Sequence, residues 1–165
     1  VLNSNDRPAI RFARAAGYTG GVQGYDVDKL ILIVTGSTVR AEDKDRPLAN
    51  RLARAIRRRL PPGSAWKVVV ISDLYYLNND DLHDCPMISV GGPGVNHCSQ
   101  VLYRELPAVL AVEHVLLIQM DVGLEDLRIC LWGMDHDTTV EALQTFVRKG
   151  YLDRYLAGVL AASNA

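Results

Sequence analysis

Lys29–Gly36 reads KLILIVTG, a run of strand length in which branched apolar residues follow one another without polar interruption. Alternating polarity would mark a strand with one wet face. Continuous apolarity marks a strand covered on both. Trp66–Ser72 (WKVVVIS) and Pro86–Gly92 (PMISVGG) repeat the pattern, and Pro86 stands at a strand start, where proline is tolerated. Between the first two strands, Leu48, Leu52, Ile56 and Leu60 recur every fourth residue, the stripe of an amphipathic helix. Asp45 reads as the cap of that helix and Pro47 as part of its first turn, with STVRAEDKD before them as a polar loop. Pro61–Gly63 (PPG) ends it.

Further strands are expected at Ala108–Val112 (AVLAV), His114–Met120 (HVLLIQM) and Asp126–Gly133 (DLRICLWG). DVGLE and its neighbours are too short for a parallel crossover, which needs about a dozen residues, so the last two strands should run antiparallel. The C-terminal segment from Thr138 is helical, with Leu143, Phe146 and Val147 facing inward and a break at Gly150. This order predicts a three-layer α/β sandwich. Its sheet should be largely parallel and Rossmann-like, with about five strands, one of them antiparallel. Residues 29–165 form this single domain. Residues 1–28 form an N-terminal arm, with a short helix in RPAIRFARAAG and a glycine-rich connector, GYTGGVQGYD.

Eighteen Lys and Arg against nineteen Asp and Glu leave a net charge of −1, so no global field favours nucleic acid or an anionic membrane. Arg51, Arg54, Arg57, Arg58 and Arg59 lie off the helix stripe and read as a solvated face. No apolar run is long enough to span a bilayer, and VLNSNDRPAIRF does not read as a signal peptide. Cys85, Cys98 and Cys130 form no CxxC and no even set, which suits a reducing cytoplasm better than a disulfide framework. Residues 1–82 are net basic and 83–165 net acidic, and with the apolar YLAGVLAA this points to self-association as an assembly module.

In a largely parallel sheet, ligands bind beyond the carboxyl ends of strands. That rule marks Gly36–Thr38, Ser72–Asp73, Gly91–His97 and Gly133–Thr139. Gly91, Gly92 and Gly94 allow close approach to the main chain, and Asn96 caps the next helix. The amides at that helix start could cradle a phosphate or carboxylate, with His97 and Thr138 as polar partners. The pattern is neither GxGxxG nor a P-loop and names no cofactor. In a rival reading, Cys98 at the helix mouth is an activated nucleophile, His136 its base and Asp135 or Asp137 the orienting acid, with His114 as another candidate base. A third reading is a purely structural turn. NNDDLHDC (Asn78–Cys85) is rich in donors, but its spacing matches no common metal site, so it reads as a solvated loop.

GGPGVN followed by WGMDHDTTVEAL resembles a pairing in uncharacterised microbial α/β domains and some archaeal surface-layer proteins: a strand ending in GGPxxN and a later strand ending in Gly, acidic residues, Thr and a helix. The matching positions are Gly91, Gly92, Pro93, Asn96, Gly133, Asp135 and Thr138 or Thr139. The resemblance implies that the two turns lie side by side, and it implies no activity. The resulting expectation is a domain that binds a small, anionic or sugar-like ligand at Gly91–His97 and Gly133–Thr139.

Overall fold

The computed structural model describes residues 25–112 and 115–162. The arm expected at 1–28 lies outside these residues except for its last four, as does His114. After a 3-10 turn at Val27–Lys29 come six strands and five α-helices. In chain order they are β1 (Leu30–Thr35), α1 (Val39–Arg57), β2 (Lys67–Ser72), α2 (Asp73–Leu77), β3 (Met87–Val90), α3 (His97–Glu105), β4 (Ala108–Val112), β5 (Leu116–Met120), β6 (Arg128–Gly133), α4 (His136–Arg148) and α5 (Tyr151–Ala162).

The strands form one sheet in the order β2-β1-β3-β6-β5-β4. β1 pairs in parallel with β2 and β3, and β3 with β6, while β5 runs antiparallel to both β6 and β4. The single reversed strand is therefore β5, as the short connection before β6 required. The sheet has six strands rather than about five because Ala108–Val112 pairs with β5 as an edge strand, with a register shift between Ala108 and Leu110. β2 forms the other edge and is only partly covered.

Strand alternation divides the core in two. Ile31, Ile33, Ile88, Ile129 and Leu131 pack with Leu48, Leu52 and Ile56 of α1, Phe146 of α4 and Leu156 of α5. Leu30, Leu32, Val34, Met87 and Cys130 pack on the opposite face with Tyr76 of α2 and with Cys98 and Leu102 of α3. These are the three layers of an α/β sandwich. Among the described residues no helix is long and apolar enough to cross a membrane.

One local expectation is overturned. STVRAEDKD is not a loop: α1 starts at Val39, where Thr38 Oγ1 accepts from the Ala41 amide at 3.2 Å. The Glu42–Arg46 ion pair supports its first turns. Pro47 lies inside the helix on its exposed face, where water can satisfy the carbonyl it frees. Asp45 is therefore not a cap. It is a mid-helix residue facing inward.

Candidate functional site

β2 lies on one side of β1 and β3 on the other, so the chain diverges at the carboxyl ends of β1 and β3. Such a point opens a crevice in an α/β sheet. Gly36 ends β1 and packs directly against the Val95 carbonyl of the GGPGVN turn. Gly92 in the same turn lies against Trp132 and Gly133 at the end of β6. A cleft of about 330 Å3 opens here. Its walls are Gly92–Val95, Trp132–His136 with Thr139, and Arg40, Lys44 and Asp45 of α1.

The two turns singled out by sequence thus share one cleft, but their residues divide. Gly92, Gly94, Asp135 and His136 line it. Gly91 lies beneath, at φ +102°, with the Asp45 carboxylate where a β-carbon would stand. Asn96 is 1% exposed and wholly engaged. Its Oδ1 accepts from the Cys98 and Ser99 amides at 3.0 and 3.3 Å. Its Nδ2 donates to Val34 O, Ser89 Oγ and Val90 O at 3.2, 3.0 and 3.0 Å. Ser89 Oγ donates to Ser99 Oγ (2.8 Å), which donates to Gly91 O (2.6 Å). Asn96 therefore locks the turn to β1 and β3 and is not a ligand contact.

The anion cradle expected at the start of α3 is closed. Asn96 takes the Cys98 and Ser99 amides, and Asp73 Oδ2 takes that of His97 at 2.8 Å. The start of α4 is likewise capped, by Asp135. Asp135 Oδ1 accepts from the Thr138 amide (2.9 Å) and hydroxyl (2.7 Å), and these bonds hold its carboxyl below the usual range. The Thr138 hydroxyl serves this capping box, and Thr139 reaches the cleft in its place.

The thiol reading fails on geometry. Cys98 is 3% exposed in the apolar cluster under α2 and α3, whereas α4, which His136 begins, packs on the opposite face of the sheet. Burial, with the charge of Asp73 adding to it, pushes the Cys98 thiol up to about 12. That is the reverse of activation. Asp135 turns to Thr138, not to His136. Cys85 and Cys130 are also buried. Among the described residues no three His, Cys, Asp or Glu side chains converge as a metal site.

Two carboxylates missed as site residues are central here. Asp73 has no exposed surface. Its Oδ2 accepts both the His97 amide and His97 Nδ1 at 2.8 Å, Oδ1 accepts from Leu74 N at 2.7 Å, and Ser37 adds a hydroxyl. Burial alone would raise its pKa, but these donors outweigh burial and lower it. A carboxylate only accepts, so His97 Nδ1 is the donor in this bond, and the rest of the ring is exposed. The ring is thus oriented as a base would be, although His97 does not line the cleft.

Since the folded state lowers the pKa of Asp73, its stabilisation is present above the unfolded value of about 3.9 and is lost as pH falls through the folded value. Asp73→Asn should cost roughly 3 kcal/mol at pH 7. Urea melts should show that deficit narrowing in acid. A deficit constant from pH 7 to pH 3 would mean the charge is irrelevant.

The second carboxylate is Asp45, 7% exposed at the cleft wall. Burial raises its pKa, against the opposing charges of His136 and Arg40. His136 Nδ1 is also buried without a hydrogen-bond partner among the described residues. No protein-family model matches this chain, and no curated protein matches its sequence.

Proposed function

We propose that this chain is a small-ligand-binding α/β domain whose ligand, anionic in part, occupies the cleft between the GGPGVN turn, the turn into α4 and α1. The observation that carries this reading is the convergence of two glycine-marked turns and two basic side chains, Arg40 and Lys44, on one crevice at a strand divergence. Both helix starts that enclose the turns are self-capped, so the positive charge for an anion comes from these side chains. The assignment of the sheet as Rossmann-like belongs to this reading, supported by its parallel centre and helices on both faces. So does a cytoplasmic location, which an odd number of cysteines with no CxxC pair suits.

The test is a thermal-shift panel of phosphorylated sugars, nucleotides, carboxylic and hydroxy acids, and amino acids. A cognate ligand at a hundred times its Kd should stabilise by about 2.7 kcal/mol. The double substitution Arg40→Ala/Lys44→Ala should abolish that shift while leaving the unliganded melt within about 0.5 kcal/mol, because both residues are exposed. A panel without any shift would end this reading.

A further inference from the structure

Asp45 is an ionisable side chain more than nine-tenths buried, on the wall of a cleft, with no hydrogen bond from any described residue. The other buried ionisable or amide side chains beside these turns are engaged: Asp73 with two amides, a ring nitrogen and a hydroxyl, and Asn96 with five groups; Thr35 Oγ1 and Trp132 Nε1 are unpartnered among the described residues but carry no charge. A buried carboxylate without a hydrogen bond works against the fold, and here the charges of His136 and Arg40 offset its burial only in part. Opposite it, His136 Nδ1 is buried and equally unpartnered among the described residues. Both groups border the same cleft.

Resting on the ligand-binding reading above, we infer that Asp45 receives the amine of a small zwitterion whose anionic group lies against Arg40 and Lys44. A protonated amine brings both charge and donors to the carboxylate, which offsets its desolvation as a neutral hydroxyl cannot. The spacing suits such a ligand. Arg40 and Asp45 are five residues apart on one helix, about 7.5 Å along its axis at the usual rise of 1.5 Å, within reach of one small molecule. A cleft of about 330 Å3 is also small-molecule sized. His136, beside Asp45, supplies a further polar contact. Gly91 keeps the place of a β-carbon free for the Asp45 carboxylate.

The proposal is tested with the whole chain in two steps. First, unliganded Asp45→Asn is melted beside the wild type at pH 8. A ligand-directed carboxylate predicts a variant that melts about 2–4 °C higher. A structural carboxylate predicts a lower melting temperature, and that result would overturn the proposal. Second, both proteins are titrated by thermal shift with the standard amino acids, taurine and phosphoethanolamine, and with the matching 2-hydroxy acids and simple carboxylic acids. The expected result is a shift from at least one zwitterion, an apparent affinity at least tenfold weaker for its hydroxy analogue, and at least a tenfold loss in Asp45→Asn. Equal binding of the hydroxy analogue, or binding unchanged in Asp45→Asn, overturns it. If other anions shift the protein and no zwitterion does, this inference fails while the ligand-binding reading stands. If nothing shifts, both fail.

Discussion

Asn96→Ala is expected to cost about 3–5 kcal/mol, a large part of the 5–15 kcal/mol that holds a typical domain together. The loss has two sources. The helix cap accounts for about 1 kcal/mol, since the Cys98 and Ser99 amides lose their acceptor. The rest comes from leaving the carbonyls of Val34 and Val90 and the hydroxyl of Ser89 without their donor in a site closed to water. Asn96→Asp separates the terms: it keeps the acceptor for the cap and removes the donors, and so should recover no more than the cap. Denaturant midpoints at constant m-value read both. A cost for Asn96→Ala below 1 kcal/mol would show that the turn does not depend on this side chain.

Gly36→Ala is the second large effect. The ideal β-carbon would stand 1.7 Å from Val95 O and 3.1 Å from the Ala41 β-carbon. A flexible side chain could move aside, but this neighbour is main chain. It is held in turn by the Val95 amide bond to Gly92 O and by Asn96 next to it. A methyl group here must drive β1 and the GGPGVN turn apart, at about 3 kcal/mol or more. Because Val95 lines the cleft, any residual folded protein should also lose ligand-induced stabilisation. Gly94→Ala, in the same turn with nothing within 4 Å, is the control and should stay within about 0.5 kcal/mol. Similar melting of the two variants would refute the close approach.

Most of the architecture can be read from hydrophobic pattern, because a strand buried on both faces has few ways to be written. KLILIVTG and PMISVGG became adjacent interior strands, and a short connection was enough to reverse β5. The turns were legible for a similar reason, as glycines beside Asn96 mark a backbone that must approach others closely. What could not be read is which side of each polar residue the fold turns inward. Pro47 suggested a helix start, and that misplaced Asp45 as a cap, although it lies two turns into α1. Thr38, followed by an acid four residues on and an Arg four beyond that, was the available signal for the earlier start. Asp73 was marked only as a strand end, because its partners, His97 and Ser37, come from two other strand exits. The rival reading of Cys98 as a nucleophile rested on its address. A place in the first turn of a helix says nothing of the side chain's direction, and here it points under the sheet.

The sheet order also bears on how the chain folds. β2, β1 and β3 lie on one side of the sheet, and β6, β5 and β4 on the other, so the two halves of the sequence do not interleave. Each half can gather its strands through nearby connections, which keeps the entropy of loop closure low. Within the sheet the halves join only where Met87–Val90 meets Arg128–Leu131. The cleft straddles that seam, with GGPGVN contributed by one half and Gly133–Thr139 by the other. A molecule bound there would bridge the two halves, and so would stabilise the domain as a whole as well as its own site.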